Sequence, residues 1–268
     1  VIMFGMGTEM SLNDFAGVIK TPKSVLIGIS AQFIIMPLVG FAIATGLGFE
    51  PEVAAGIILV GSVPCGVASN VISYLAKANV ALSVTLTAVG TLLAPIITPL
   101  WMKVLAGQLI EVDVMAMVMD IIKIVIVPIA AGLVFNALLK GKLSWLDKAM
   151  PIVSMAGIAL IIVVITAAGR DNLMKIGMLL ILAAFLHNTA GYFLGYWSGK
   201  LFGLKERDCR TIAIEVGLQN AGLASGLSNA MGKASTIGLA SAVFGPVMNT
   251  TGSILASYWH RKPIEERK

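Results

Sequence analysis

The chain has 268 residues, 57% of them hydrophobic and 12% charged, with a formal net charge of +5; its mean hydropathy is +0.93. A soluble domain keeps about a quarter of its residues charged, so a water-soluble globular protein is excluded. The apolar runs are about 20 residues long, enough to cross a hydrocarbon core as helix, and they lack the alternation of a membrane β-barrel.

The first element is a short apolar stub, "VIMFGMG", with no initiator methionine. It reads as the end of a truncated span, and no signal-peptide pattern is visible. Eight spans are then expected, at about 23–47, 51–75, 79–104, 113–138, 149–168, 173–200, 208–230 and 236–259. The fold class is therefore an all-α polytopic membrane protein.

Basic residues orient these spans. If the 9–22 loop faces the cytoplasm, 14 of the 19 lysines and arginines fall on that side, including Lys20, Lys23, Lys77 and those of "LLKGKLSWLDK", "GKLFGLKERDCR" and "HRKPIEERK". Lys103, Arg170, Lys175 and Lys233 fall on the other side. Such a bias follows the positive-inside rule. It puts the C-terminus in the cytoplasm and reports topology rather than a nucleic-acid partner. Lys123 falls within a span, where it is expected to snorkel or to pair with Asp120. Cys65 and Cys209 lie on different spans without metal-type spacing and read as small apolar filler.

Two stretches echo each other. "GVASNVISYLAKANVALSVTLTAVGTLLAPIITPL" (66–100) and "GLQNAGLASGLSNAMGKASTIGLASAVFGPVMNTTGSIL" (217–255) both begin with glycine and a polar pair ending in asparagine, Ser69–Asn70 and Gln219–Asn220. Each runs through a short helix and a loop into a small-residue-rich span holding a proline, Pro95 or Pro246. The first runs outside to inside and the second inside to outside. Inverted repeats of this kind build many secondary transporters, with residues 1–110 as the first repeat and 111–268 as the second. Pro64 and Gly66 interrupt one span, and the glycines of "EVGLQNAG" interrupt its counterpart. An interrupted helix survives in a membrane only inside protein or beside water, so two discontinuous helices are expected to cross at a site.

The residues at the breaks indicate which chemistry that site supports. Glu215 is an ionisable group near the bilayer centre, a functional signal by default. Its neighbours in the pattern are hydroxyls, amides and freed carbonyls, an oxygen environment that suits a hard cation such as Na⁺. Ser83 and Thr87 lie four apart and share a helix face, and Gln32 is an isolated amide in an apolar span. The half-helices resuming near Ser69 and Gln219 offer free N–H groups to an anion. His187–Asn188 reads as a bridge between packed helices. No His-Glu-x-x-His, paired aspartate or Ser/Lys arrangement is present, so an intramembrane enzyme is not expected.

"VPCGVASNVISYLAKANVALSVTLT" and "IEVGLQNAGLASGL" closely resemble the signature stretches of the bile acid:sodium symporter family, in particular its bacterial members. The likeness extends to "AQFIIMPL" (31–38), "LHNTAGY" (186–192) and "GSILASYW" (252–259). The resemblance implies a ten-helix fold of two inverted five-helix repeats. About nine helices are present here, the first being absent. A core domain would come from spans 23–104 and 173–259, and a panel from 1–8 and 113–168. It also implies two sodium ions. One is held by Ser69, Asn70, Ser83, Thr87 and Glu215; the other by Gln32, Glu215, Gln219 and the carbonyls of Val216 and Leu218. On the substrate side Asn220 and Asn249 are retained, while Val67 stands where the family often has threonine. Met248 stands where bacterial relatives often have histidine. The implied function is sodium-coupled symport of an organic anion, a bile acid or a small carboxylate such as pantoate, by alternating access across a bacterial inner membrane. The alternative is a proton-coupled or uncoupled exporter of similar fold, in which Glu215 binds a proton. Membrane lipid and the organic anion are the expected partners, and a monomer is compatible with the sequence.

Overall fold

A computed structural model of the chain describes residues 2–11, 14, 17–139, 144–262 and 264. Among these the regular structure is helical: α1 (Ile2–Glu9), α2 (Gly17–Lys20), α3 (Pro22–Gly46), α4 (Pro51–Ser62), α5 (Ala68–Leu75), α6 (Val80–Trp101), α7 (Val114–Ile121), α8 (Val127–Leu139), α9 (Ser144–Ala168), α10 (Arg170–Leu201), α11 (Glu206–Gly217), α12 (Ala221–Ala230) and α13 (Ile237–His260). A π turn, Met102–Ala106, extends α6, and another, Ile122–Ile126, joins α7 to α8. Among the described residues five helical segments are long and apolar enough to cross a membrane: Pro22–Gly46, Val80–Ala106, Val114–Leu138, Arg170–Leu201 and Ile237–His260.

The sequence sets the helix starts. Proline opens α3 and α4, where its missing N–H costs nothing. Asn79, Asp113 and Asn220 cap α6, α7 and α12 by accepting from the N–H groups of Leu82, Ala116 and Leu223. The expected spans 51–75 and 208–230 are each two short helices around a gap, α4–α5 and α11–α12. The order of long helix, broken helix and proline-containing long helix thus occurs twice, as α3 to α6 and as α10 to α13.

Glycines set how closely α10 approaches α11. Gly191, Gly195 and Gly199 recur every fourth residue on one face of α10. A Cβ on Gly191 would lie 2.8 Å from the Gly217 Cα, and one on Gly195 would lie 2.9 Å from the Ile212 carbonyl oxygen. Without a hydrophobic force between helices in lipid, such close backbone contact is what drives association. The stub α1 is a helix packed on α8 and α9, with Phe4 edge-on to Phe135 at 5.6 Å. Where the backbones of α1 and α8 meet, Gly7 and Gly132 leave the room. Helices α3, α4, α6, α10, α11 and α13 pack mainly on one another.

Other expectations fare unevenly. The Asn188 amide meets the Thr251 hydroxyl at 3.2 Å and so bridges α10 and α13, while His187 is buried edge-on to Phe244. Lys123 lies in the π turn on the exposed side and forms no ion pair with Asp120, so the local pairing is corrected in favour of an outward-reaching chain. Lys233 pairs with Glu52. Val1, Lys140, Lys142, Arg267 and Lys268 lie outside the described residues.

Gly195→Leu overfills the α10–α11 contact. It is expected to cost about 1–3 kcal/mol or more, read as a lowered melting temperature of the purified protein in detergent.

Candidate functional site

The two helix gaps touch. The Asn220 N–H of the second donates to the Pro64 carbonyl of the first at 2.9 Å, and Asn220 is in van der Waals reach of a Cβ built on Gly66. Breaking α4 frees carbonyls that must find donors inside the protein. Ser62 accepts from the Thr98 hydroxyl at 2.8 Å, and Val63 accepts from Gln32 Nε2 at 3.1 Å. In the second gap the helical ladder ends with Leu218 N–H on the Ile214 carbonyl, and the Gln219 N–H turns to the Met248 sulfur at 3.1 Å.

Glu215 lies beside this crossing, 2% exposed. Its Oε1 accepts from Ser83 Oγ at 2.5 Å and its Oε2 from Thr87 Oγ1 at 3.0 Å. Both donors come from the one face of α6 that their spacing of four residues implies. Ser83 also contacts Asn70 Oδ1 at 2.9 Å, and Ser69 Oγ lies 3.4 Å from Thr87 Oγ1. All five residues of the first expected set are therefore brought together from α5, α6 and α11. Among the described residues no lysine or arginine pairs with Glu215.

The second expected set gathers one step away. Gln32 Nε2 donates to Gln219 Oε1 at 2.5 Å, and Gln219 Nε2 donates to the Val216 carbonyl at 2.6 Å. The Gln32 Oε1 atom is buried and has no hydrogen-bond partner. A buried acceptor left without a donor is costly. Gln32, Gln219 and Val216 of the second expected set are thus in contact, with one amide oxygen unpartnered. Among the described residues no three His, Cys, Asp or Glu side chains cluster as metal ligands.

Next to the crossing is a cavity of about 530 Å³ whose lining includes Val67, Asn220, Met248 and Asn249, with α1 and α9 forming the far wall. Its lining is mostly apolar, with a few amides and hydroxyls, the usual make-up of a small-molecule pocket. The four expected substrate-side residues thus share one space, although Met248 also serves the backbone through its sulfur. One expectation is corrected. Neither half-helix start has all its N–H groups free: Asn220 Oδ1 takes the Leu223 N–H at 2.9 Å, and the Gly66 and Val67 carbonyls take the Ser69 and Asn70 N–H groups at 3.1 and 3.0 Å.

Cys65 is more than filler. It is buried in the first gap with its thiol 3.5 Å from the Gly66 carbonyl, a placement that spacing could not reveal. Thr98 and the Met248 sulfur were also missed, since neither residue type signals a backbone partner. Tyr192, whose ring lies where a Cβ on Gly217 would fall, packs beside the second gap and escaped notice for the same reason.

The chain matches known proteins along most of its length. A family model described as the Sodium Bile acid symporter family matches residues 1–176. Over 262 residues the chain is 40% identical to the uncharacterized sodium-dependent transporter YocS of Bacillus subtilis, covering 98% of this chain and 81% of that one. Over 261 residues it is 34% identical to the probable sodium/metabolite cotransporter BASS1, chloroplastic, of Arabidopsis thaliana, covering 97% and 65%. Over 234 residues it is 32% identical to the ileal sodium/bile acid cotransporter of Oryctolagus cuniculus, covering 84% and 66%.

Thr98→Val strands the Ser62 carbonyl and is expected to cost about 1–3 kcal/mol. Thr91→Val removes a hydroxyl that only doubles a bond to the Thr87 carbonyl in its own helix and is expected to cost less. Melting of both variants in sodium-free detergent checks the difference.

Proposed function

This chain belongs to the sodium bile acid symporter family, and we propose that it couples two sodium ions to the inward symport of an organic anion by alternating access. It is a multi-pass membrane transporter and not an enzyme, as its relatives are named transporters and cotransporters. The observation that carries the sodium reading is Glu215, a buried carboxylate among hydroxyls and an amide with no basic partner. A cation supplies the missing positive charge. The first ion would take Ser69, Asn70, Ser83, Thr87 and Glu215. The second would take Gln32, Gln219, the Val216 and Leu218 carbonyls and the same glutamate. The unpaired Gln32 oxygen supports the second.

The anion would lie in the cavity between Val67, Asn220, Met248 and Asn249, its carboxylate toward the Asn220 and Asn249 amides and its apolar body along α1 and α9. Sodium and anion then meet across one crossing, so each raises the affinity of the other by the same factor. The repeated order of elements supports two inverted repeats, 1–110 and 111–268. The packing of α1 with α8 and α9 supports a panel separate from a core formed by α3 to α6 and α10 to α13. A bacterial inner membrane with the C-terminus inside fits the basic loops and the Bacillus relative.

Sodium, balanced with choline chloride, is expected to raise the melting temperature of the purified protein, with lithium weaker and potassium inactive. Candidate bile acids and small carboxylates should stabilise further only with sodium present. Glu215→Ala should remain folded and lose the sodium response. A wild-type protein indifferent to sodium would instead favour the proton-coupled or uncoupled exporter.

A further inference from the structure

Toward the expected cytoplasmic end, α6 and α11 are joined by a second polar network that the sodium reading does not use. Asn79 Nδ2 donates to Asp208 Oδ1 at 2.8 Å, and the other Asp208 oxygen accepts from Ser24 Oγ of α3 at 2.8 Å. The Asn79 N–H donates to Thr211 Oγ1 at 2.9 Å. Thr211 Oγ1 in turn lies 3.1 Å from both the Asn79 carbonyl and the Arg207 carbonyl of its own helix, which share its one proton. The Asn79 carbonyl also accepts the Ser83 N–H at 3.0 Å, so one atom joins Thr211 directly to the residue whose hydroxyl meets Glu215. Ser24, Asp208 and Thr211 are all buried.

The spacing makes this network continuous with the candidate cation site. Residues 208, 211 and 215 fall at helical intervals on one face of α11, and 79, 83 and 87 do so at the start of α6. The two faces meet in successive rungs: Asn79 with Asp208 and Thr211, then Ser83 and Thr87 with Glu215. Arg210 extends the same anchor to α5. Its guanidinium contacts the carbonyls of Ala76, at the end of α5, and of Trp259, near the end of α13, at 3.4 and 3.1 Å. Helix α5 carries Ser69 and Asn70. The first turns of α11 therefore hold both helices that supply partners to Glu215. Both Asp208 oxygens are occupied by fixed protein donors, which makes this carboxylate an anchor and not a cation ligand.

We propose that Asp208 and Thr211, with Arg210 beside them, are positioning residues that set the register of α5 and α6 against Glu215 and thereby set sodium affinity at the first site. The inference rests on the sodium reading above. Groups that orient metal ligands without touching the metal typically change affinity by about 10–100-fold when removed.

The test is the sodium concentration giving half-maximal thermal stabilisation of the full chain in detergent, at constant ionic strength with choline. Asp208→Ala and Thr211→Val are each expected to raise that concentration about tenfold. Thr211→Ser, which restores the hydroxyl, should return it to within about twofold of wild type. A lower melting temperature without sodium, combined with an unmoved sodium midpoint, would show a merely structural role and overturn the proposal. Thr211→Val nearly preserves volume, so it supplies the answer if Asp208→Ala does not fold. A wild-type protein that ignores sodium overturns the sodium reading and this inference together. Responsive wild type with unmoved variants overturns this inference alone.

Discussion

A helix interrupted inside a membrane has to find partners within the protein for every backbone group it frees, and the remaining features of this molecule gather around that constraint. The gap after α4 places its carbonyls on Thr98, Gln32 and the backbone of the opposite gap. The gap after α11 sends its Gln219 N–H to a methionine sulfur. Each break stabilises the other through the Asn220–Pro64 bond, so neither is a free-standing defect. Because Gln32 spends both its donor bonds here, its oxygen is left over, turning a structural repair into a candidate ligand.

The two principal faces of α11 divide the work. One face, with Ile212, Ala213, Val216 and Gly217, lies against the glycine row of α10 at backbone distance. Another, with Asp208, Thr211 and Glu215, meets α6 through hydrogen bonds. Dispersion contacts fix how close the helix stands, and the polar rungs fix how it is turned. A carboxylate whose partners lie 2.5 and 3.0 Å away needs both settings.

Polar residues in an apolar setting made much of this legible. Glu215, Gln32 and the paired Ser-Asn and Gln-Asn steps stand out because water-seeking groups in lipid demand a reason, and glycine and proline marked both gaps. The long helices were readable from run length alone. What stayed hidden were partners whose residue types are unremarkable in a membrane: Thr98, Met248, Cys65 and the repeated glycines of α10. Their roles depend on which atom faces which across two helices, and helical spacing within one segment carries no such information. The cap at Asn220 shows the same limit. The sequence marks a helix start there, but only the fold shows that the side chain turns back to close it.

The solitary charge of Glu215 bears on how the membrane voltage acts. With two sodium ions and a monovalent anion bound, the proposed crossing is electrically neutral; with none bound, it carries one negative charge. The loaded carrier can then move without electrical work, while the returning carrier brings its carboxylate back through the field. A membrane that is negative inside pushes that charge outward, worth roughly 2.3 kcal/mol per 100 mV for a full traverse. One glutamate without a basic neighbour would thus place the electrical drive on the empty return stroke.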